Sequence, residues 1–193
     1  MSRLAKDYDY MSFDDFEEFL ADKPKNERWE LLGGRVVKMM VGARWEHNRI
    51  VQNISWNLSA QFFTKGSSCQ TFAETFYMKD RPLDAALLPD VMVVCGTPEA
   101  GATSVNDPIV VFEVLSTGTE ARDRFDKWQI YQQLASLRHY VLVTRDKAHV
   151  EVMDRADGRW SGLRVFDGLD AVIDLPAVDA QLTLAQIYYR ALG

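Results

Sequence analysis

The spacing of hydrophobic and polar positions predicts an alternation of helices and strands. SFDDFEEFLADKP has the pattern of a short amphipathic helix, with Ser12 as its N-cap and Pro24 just beyond its end. In RWELLGGRVVKMM, the Gly33-Gly34 pair suits the positive φ angles of a tight turn, which predicts a β-hairpin. From about Ala43 to Phe63, apolar residues recur at helical spacing and predict a long helix with one core-facing stripe.

The second half of the chain continues with strands around one further helix. Three strand-like runs, SCQTFAETFYMK, LLPDVMVVC and IVVFEVLS, precede a helix, EARDRFDKWQIYQQLAS, and a strand, RHYVLVT. The segment from His149 to Phe166 predicts a hairpin that turns at residues 156–158, and LTLAQIYYRAL predicts a short helix capped by Thr183. This order of elements is typical of an α/β sandwich around a mixed sheet.

Length and composition narrow the picture further. The 193 residues, 47% of them hydrophobic, predict one well-buried domain over residues 1–193. The net charge is -6, whereas proteins that bind nucleic acids non-specifically are usually strongly basic. No apolar stretch is long enough for a signal peptide or a spanning helix, so we expect a soluble, cytoplasmic protein with no membrane partner.

Cys69 and Cys95 lie far apart in strand-like runs, which predicts two reduced, buried thiols rather than a disulfide or a zinc site.

One carboxylate stands out against this pattern. Glu113 lies in the middle of IVVFEVL, a run that suits a strand covered on both faces. An unpaired ionised carboxylate in such a place would destabilise the fold by several kcal/mol. Glu113 therefore needs a partner that neutralises its charge.

The neighbouring strand offers a second carboxylate. The loop GTPEAGATSVND has no helical periodicity, so the strands on either side most simply pair as an antiparallel hairpin. If Cys95 lies opposite Pro108, then Asp90 lies directly opposite Glu113, where two like charges repel. A divalent cation such as Mg²⁺ would neutralise the pair, since it prefers hard oxygen ligands. The alternative is that Asp90 caps the start of its strand and Glu113 pairs with an arginine or lysine.

Pro89-Asp90, Glu113 inside a strand, and a following helix that bears Lys127 together resemble the PD-(D/E)XK nuclease superfamily. Within it, the chain is most similar to the "Uma-two" family of restriction endonucleases, through WELLGGRVVKM, EHNRIVQNI, LLPDVMVV and FEVLSTGTEARDRFDKWQIYQQLASLRHYVLV. The superfamily usually places its lysine two residues after the acidic residue, where this chain has Leu115. The family pattern takes the lysine from the following helix instead, where Asp123, Lys127 and Tyr131 stand at four-residue steps.

This resemblance implies a restriction-endonuclease-like fold, with a central mixed β-sheet flanked by helices, that hydrolyses phosphodiester bonds of DNA. Asp90, Glu113 and the carbonyl of Val114 would hold Mg²⁺, with Mn²⁺ as a substitute. Lys127 would orient the attacking water or stabilise the charge of the transition state. A homodimer would supply the two cuts of a double-strand break. From the residues alone, Lys127 could instead form an exposed ion pair with Asp123.

Further candidates are less specific. Glu30 matches an acidic position of the family, where it would contact a second metal or pair on the sheet surface, and Glu74 is a similar case. His47 lies near the start of the long helix, where it is either a site residue or a structural histidine. A local phosphate-binding rim is a further hypothesis, for which the candidates are Arg122, Arg124, Arg138, His139, Arg145 and Lys147. The alternative function is a catalytically inactive nuclease fold that serves as a nucleic-acid-binding or assembly module. The acidic balance keeps this alternative open, whereas the presence of Asp90, Glu113 and Lys127 favours the endonuclease.

Overall fold

A computed structural model describes residues 10–39, 42, 44–115 and 122–192, with only the backbone of Arg122 and Asp123. In these ranges the α-helices are α1 (Phe13–Asp22), α2 (Trp45–Lys65), α3 (Lys127–Tyr131) and α4 (Leu184–Ile187). None of them is both long and apolar enough to cross a membrane.

The strands of the same ranges form three sheets. They are β1 (Trp29–Leu32), β2 (Arg35–Lys38), β3 (Cys69–Ala73), β4 (Tyr77–Asp80), β5 (Ala85–Leu87), β6 (Val91–Cys95), β7 (Ser104–Val105), β8 (Val110–Leu115), β9 (His139–Thr144), β10 (His149–Ala156), β11 (Arg159–Trp160), β12 (Arg164–Asp167), β13 (Val172–Leu175) and β14 (Ala180–Thr183).

The main sheet is mixed, as the sequence predicts. Its order is β11-β10-β9-β8-β6-β3, with β12 beside β10. Strands β8 and β9 are parallel, whereas β8 pairs antiparallel with β6. A second sheet has the order β2-β1-β5-β4-β7, and β13 and β14 form a third. The α/β fold with a central mixed sheet is confirmed.

Several predicted elements are confirmed at their ends. The side chain of Ser12 accepts a hydrogen bond from the amide of Asp15 at the start of α1. Gly33 and Gly34 have φ angles of +57° and +85° in the turn between β1 and β2. Thr183 caps α4 through a capping box, although α4 is shorter than the predicted segment.

Two predicted strands are wrong in extent, because each is split between the main and the second sheet. SCQTFAETFYMK divides into β3 and β4 at Glu74, whose φ of 54° turns the chain. LLPDVMVVC divides into β5 and β6 around Pro89, which has no N–H to donate to a strand ladder. These breaks carry the chain from one sheet to the other.

The predicted helix EARDRFDKWQIYQQLAS is also shorter in the structure. Glu120 and Ala121 lie outside the described residues, Arg122–Asp126 forms a π-helical turn, and α3 then ends at Tyr131. A π-helical turn is an uncommon element that occurs often at functional sites. It places Lys127 at the first position of α3.

The main sheet is covered on both faces. Val110, Phe112 and Val114 of β8 pack in one cluster with the buried stripe of α2, which includes Ile54. The alternate residues of β8 face a second cluster, which contains side chains of α3 and of the second sheet. Because side chains alternate along a strand, Glu113 belongs to this second face.

The cysteine prediction is wrong. Cys69 and Cys95 form a disulfide, and both are half-buried. They are directly opposite each other on β3 and β6. The amide of Gly96 donates to the carbonyl of Ser68, so the cysteine pair is a non-hydrogen-bonded one, in which side chains come closest. The sequence could not reveal this register.

We predict that the disulfide stabilises the fold measurably. It links residues separated by 26 positions, and a loop of that length corresponds to about 3.5 kcal/mol of unfolding free energy in the chain-entropy treatment. Urea unfolding with and without reductant should show this difference in the wild type and none in the double variant Cys69→Ser/Cys95→Ser. Two titratable thiols in protein purified without reductant would contradict the pairing.

Candidate active site

Glu113 lies at the centre of the candidate site. Its side chain is fully buried on β8. Glu113 Oε1 accepts a hydrogen bond from Lys127 Nζ at 2.8 Å and another from the hydroxyl of Tyr131 at 2.9 Å. The charge that the sequence analysis found in an apolar strand therefore meets an ammonium group and a phenol from α3.

Glu30 approaches the same ammonium group from the second sheet. It is fully buried on β1, where Leu32 on the same face packs into the cluster that contains the side chains of α3. Glu30 Oε1 accepts a hydrogen bond from the amide of Leu88 at 2.9 Å and lies 3.3 Å from Lys127 Nζ. Glu30 Oε2 is buried without a hydrogen-bond partner. Of the two alternatives for Glu30, pairing on the sheet surface is wrong, because its carboxylate lies in the interior. Contact with a second metal stays a prediction.

Lys127 joins these two carboxylates in the interior. Its side chain is 1% exposed, so the alternative of an exposed ion pair with Asp123 is wrong. The side chain of Asp123 lies outside the described residues, and its role as an additional site residue stays a prediction. Tyr131 follows Lys127 by one helical turn, which explains why both side chains reach Glu113.

Asp90 occupies the position that the sequence analysis assigned to it. The antiparallel register of β6 and β8 pairs Val91 with Phe112, and one further step places Asp90 opposite Glu113. The assumed register is thereby confirmed. Asp90 Oδ2 accepts a hydrogen bond of 2.6 Å from the amide of Val114, so Val114 contacts the site through its N–H. Metal binding by its carbonyl stays a prediction.

His47, at the start of α2, completes the cluster. Its Nε2 lies 3.2 Å from Asp90 Oδ2, and both side chains are largely buried. Burial opposes protonation of the imidazole, but the hydrogen bond to Asp90 and the charges of Asp90 and Glu74 outweigh it. The pKa of His47 is therefore raised above its ordinary value. Glu74 acts on the site through this charge.

Tyr131 is held in its neutral form. Burial raises the pKa of its hydroxyl well above the ordinary value, and the nearby charge of Glu113 raises it further. The phenol therefore remains a hydrogen-bond donor to Glu113 at any pH at which the protein functions.

The hypothesis of a phosphate-binding rim finds little support at four of its six members, which have protein partners. The side chain of Arg122 lies outside the described residues, and Lys147 stays a candidate. Arg124 forms a two-pronged ion pair with Glu151. Arg145 forms one with Asp146. His139 is buried and hydrogen-bonded to Asp154, and Arg138 donates to three backbone carbonyls, which are those of Ala135, Ser136 and Leu137.

The carboxylate oxygens of the site are partly arranged as a hard cation such as Mg²⁺ requires. Within the described ranges, no group of three or more histidine, cysteine, aspartate or glutamate side chains is arranged to hold a metal ion. Two features nevertheless fit Mg²⁺, namely the opposed carboxylates of Asp90 and Glu113 and the buried oxygen of Glu30 that has no partner. Lys127 supplies part of the neutralisation that such an ion would provide.

Comparisons with known proteins identify the family and the fold of the chain. A family model described as "Uma2: Putative restriction endonuclease" matches residues 13–186. The chain belongs to the Uma2 family. This is the "Uma-two" family of the sequence resemblance, and the matched range contains Glu30, His47, Asp90, Glu113 and Lys127.

Two relatives of this Uma2 chain come from Synechocystis sp. (strain ATCC 27184 / PCC 6803 / Kazusa). The uncharacterized protein slr1290 is 29% identical over 149 residues, which cover 75% of this chain and 76% of the relative. The uncharacterized protein sll1609 is 25% identical over 156 residues, which cover 79% of this chain and 86% of the relative.

A solved structure, described as "a putative nuclease belonging to DUF820 from Anabaena variabilis ATCC 29413", has the same fold with a TM-score of 0.76 at 16% identity. It covers 94% of this chain and 99% of its own.

Two contacts of the Uma2 site were missing from the sequence analysis. The hydroxyl of Tyr131 bonds to Glu113, and Lys127 lies between Glu113 and Glu30. The four-residue step from Lys127 to Tyr131 is the one signal that indicates a shared target. Nothing in the sequence indicates that β1 and α3 are neighbours.

Because the ammonium of Lys127 contacts two buried carboxylates, we predict that Lys127→Ala destabilises this Uma2 protein strongly. Breaking a buried ion pair from one side typically lowers the free energy of unfolding by about 3 to 5 kcal/mol. Urea unfolding measures the loss. Lys65→Ala removes an exposed lysine that pairs with Asp179, and should change stability by less than about 1 kcal/mol. A loss at Lys127 no larger than in this control would show that the burial is wrong.

The three histidines provide a test of the His47–Asp90 contact by NMR titration. The pKa should lie above the ordinary value for His47 and also for His149, which is hydrogen-bonded to Asp167. The pKa of His139 should lie below the ordinary value, because this side chain is buried. Asp90→Asn should lower the pKa of His47 alone.

The sign of the effect on stability follows from this direction. A raised folded pKa means that His47 stabilises the fold below its unfolded pKa, and that this contribution is lost as pH rises through the folded pKa. An unchanged pKa of His47 in Asp90→Asn would contradict the contact.

Proposed function

We propose that the protein is a Mg²⁺-dependent endonuclease that hydrolyses phosphodiester bonds of DNA. Asp90, Glu113 and the carbonyl of Val114 would hold the ion, and Mn²⁺ would replace it. The observation that supports this most is the register of β6 and β8, which sets Asp90 opposite Glu113 beside Lys127. Membership in a family described as restriction endonucleases supports the same reaction class.

The ion, when bound, would acidify a water molecule and offset the negative charge that develops on the phosphate. The protein's own part is to hold two carboxylates in fixed orientations next to each other. Val114 and His47 both contact Asp90 Oδ2, which restrains the position of this oxygen. Tyr131 and Lys127 do the same for Glu113.

Lys127 would be the group that acts on the reacting atoms. Its ammonium lies against Glu113, within a buried site where a charge acts more strongly than it does in water. From there it would orient the attacking water or stabilise the charge of the transition state. Glu30 holds the ammonium from the other side, which restricts its position.

The test is nicking of supercoiled plasmid DNA in Mg²⁺. Glu113→Gln and Asp90→Asn should each lower the rate by at least about 100-fold, because each removes one of the two charges that hold the ion. Glu99→Gln makes the same change at an exposed loop position and should leave the rate as in the wild type. Lys127→Arg keeps a positive charge in the site but replaces the ammonium group. A lower nicking rate without a lower melting temperature in this variant would assign the ammonium a chemical role apart from its role in stability.

Melting curves run beside the assay distinguish a lost site from a lost fold. Mg²⁺ should raise the melting temperature of the wild type and of Glu99→Gln, and not that of Asp90→Asn, since a ligand that binds only the folded state stabilises it. Equal nicking by the wild type and Glu113→Gln would mean a contaminating nuclease. Metal-dependent nicking of neither DNA nor RNA would favour the inactive binding or assembly module.

A further inference from the structure

The long helix α2 has a second stripe of residues, on the side opposite its core-facing stripe. The core stripe includes Ile50, Ile54 and Leu58, all fully buried. The second, which we call the outer stripe, repeats at steps of four and three residues, and each of its members is exposed. It consists of Trp45, Arg49, Gln52, Trp56, Ser59 and Phe63.

The outer stripe exposes an unusual amount of aromatic surface. Trp45 is 61% exposed, Trp56 is 75% exposed and Phe63 is 89% exposed. Tyr189, just after α4, adds a fourth exposed ring beside the helix, at 59%. Among the described residues, these are four of the six aromatic side chains that are largely exposed, the others being Tyr10 and Phe125. Apolar surface concentrated in this way marks an interaction site.

The spacing of the stripe matches a second copy of itself. Steps of four and three residues are those of the heptad seam by which two helices pack side by side. In an antiparallel pair related by a twofold axis, Trp45 meets Phe63 of the other copy, Gln52 meets Trp56, and Arg49 meets Ser59. Every aromatic side chain then packs on the partner helix. In a parallel pair, the two Arg49 side chains would face each other, and their like charges would repel.

We propose that the outer stripe of α2 is a homodimer interface in which two copies of this chain pair their α2 helices antiparallel. The inference does not depend on the proposed nuclease activity. It identifies the surface, the partner and the relative direction of the two helices.

A groove on the same surface supports the proposal. It lies between α2 and the end of the chain, and its lining includes Gln52, Asn53, Trp56, Gln186 and Tyr189. Gln52 is the position that Trp56 of the second copy would meet, so the indole would lie at this groove. An exposed ring and an open groove beside it on one surface are what a self-complementary twofold contact requires.

The exposed area is also sufficient. With about 150 to 250 Å² for each buried aromatic side chain, the three exposed fractions correspond to roughly 500 Å² on each copy. Two copies would bury about 1,000 Å² from these side chains alone, which reaches the minimum area expected of a biological interface before any other residue is counted. The net charge of -6, with Arg49 as the one charged member of the stripe, makes a nucleic acid a poor occupant of this surface.

Sedimentation equilibrium of the full chain tests the dimer. The wild type should sediment at twice the monomer mass, and Trp56→Glu and Phe63→Glu should sediment as monomers with the melting temperature of a folded protein. Leu163→Glu places the same charge on another exposed apolar side chain, 51% exposed and outside α2, and should remain a dimer.

Cross-linking tests the direction of the helices. A mixture of Trp45→Cys and Phe63→Cys proteins should form a disulfide-linked heterodimer under mild oxidation, because these positions meet in the antiparallel pair. Phe63→Cys alone should not cross-link, because its two copies would lie about 27 Å apart along the helix axis, 18 residues at 1.5 Å each.

Three outcomes would overturn the proposal. They are a monomeric wild type across the concentration range, a dimer that survives both Trp56→Glu and Phe63→Glu, and efficient cross-linking of Phe63→Cys alone. A monomer whose outer-stripe variants lose DNA binding in a filter assay would assign the surface to nucleic acid instead.

Discussion

The interior of this protein is organised around one lysine whose ammonium group contacts two buried glutamates. Glu113 comes from the main sheet, Glu30 comes from the second sheet, and both contact Lys127 Nζ. Two carboxylates cannot remain ionised in such surroundings without a cation, so the packing of α3 between the sheets depends on this contact. The π-helical turn before α3 sets the position from which Lys127 reaches both.

This arrangement explains why stability and chemistry are linked in the candidate site. An ammonium group that holds the core together also contacts Glu113, one of the two carboxylates that would bind a metal ion. Removing that ammonium, as in Lys127→Ala, therefore changes the fold and the reaction at once, and activity alone cannot separate the two. Asp90 is different, because it is held directly before β6 by an amide and an imidazole and is partly exposed. Its loss should affect the metal far more than the fold.

The sequence predicted local structure and one long-range relation well. Local chemistry marks the ends of elements, through the capping side chains of Ser12 and Thr183 and the positive φ angles of Gly33-Gly34. The pairing of Asp90 with Glu113 followed from counting across one loop. The burial of Lys127 could not be predicted in this way. An i,i+4 pair with Asp123 is a local interpretation, whereas the contact with Glu30 joins residues almost 100 positions apart.

The same limit explains the remaining errors. Cys69 and Cys95 pair because β3 is the neighbour of β6, and SCQTFAETFYMK breaks because its two halves belong to different sheets. Sheet order is a property of the whole chain, and hydrophobic periodicity does not contain it. The family resemblance supplied what periodicity could not, since it pointed to Lys127 and Glu113 together, and the structure places them in contact.

The most direct test of the account is a crystal structure of the protein with Mn²⁺, measured at a wavelength where manganese scatters anomalously. The account predicts one anomalous peak between Asp90 and Glu113, within about 2.3 Å of an oxygen of each carboxylate, and no such peak in Asp90→Asn. A peak elsewhere, or an Asp90–Glu113 pair that stays empty at saturating Mn²⁺, would contradict it.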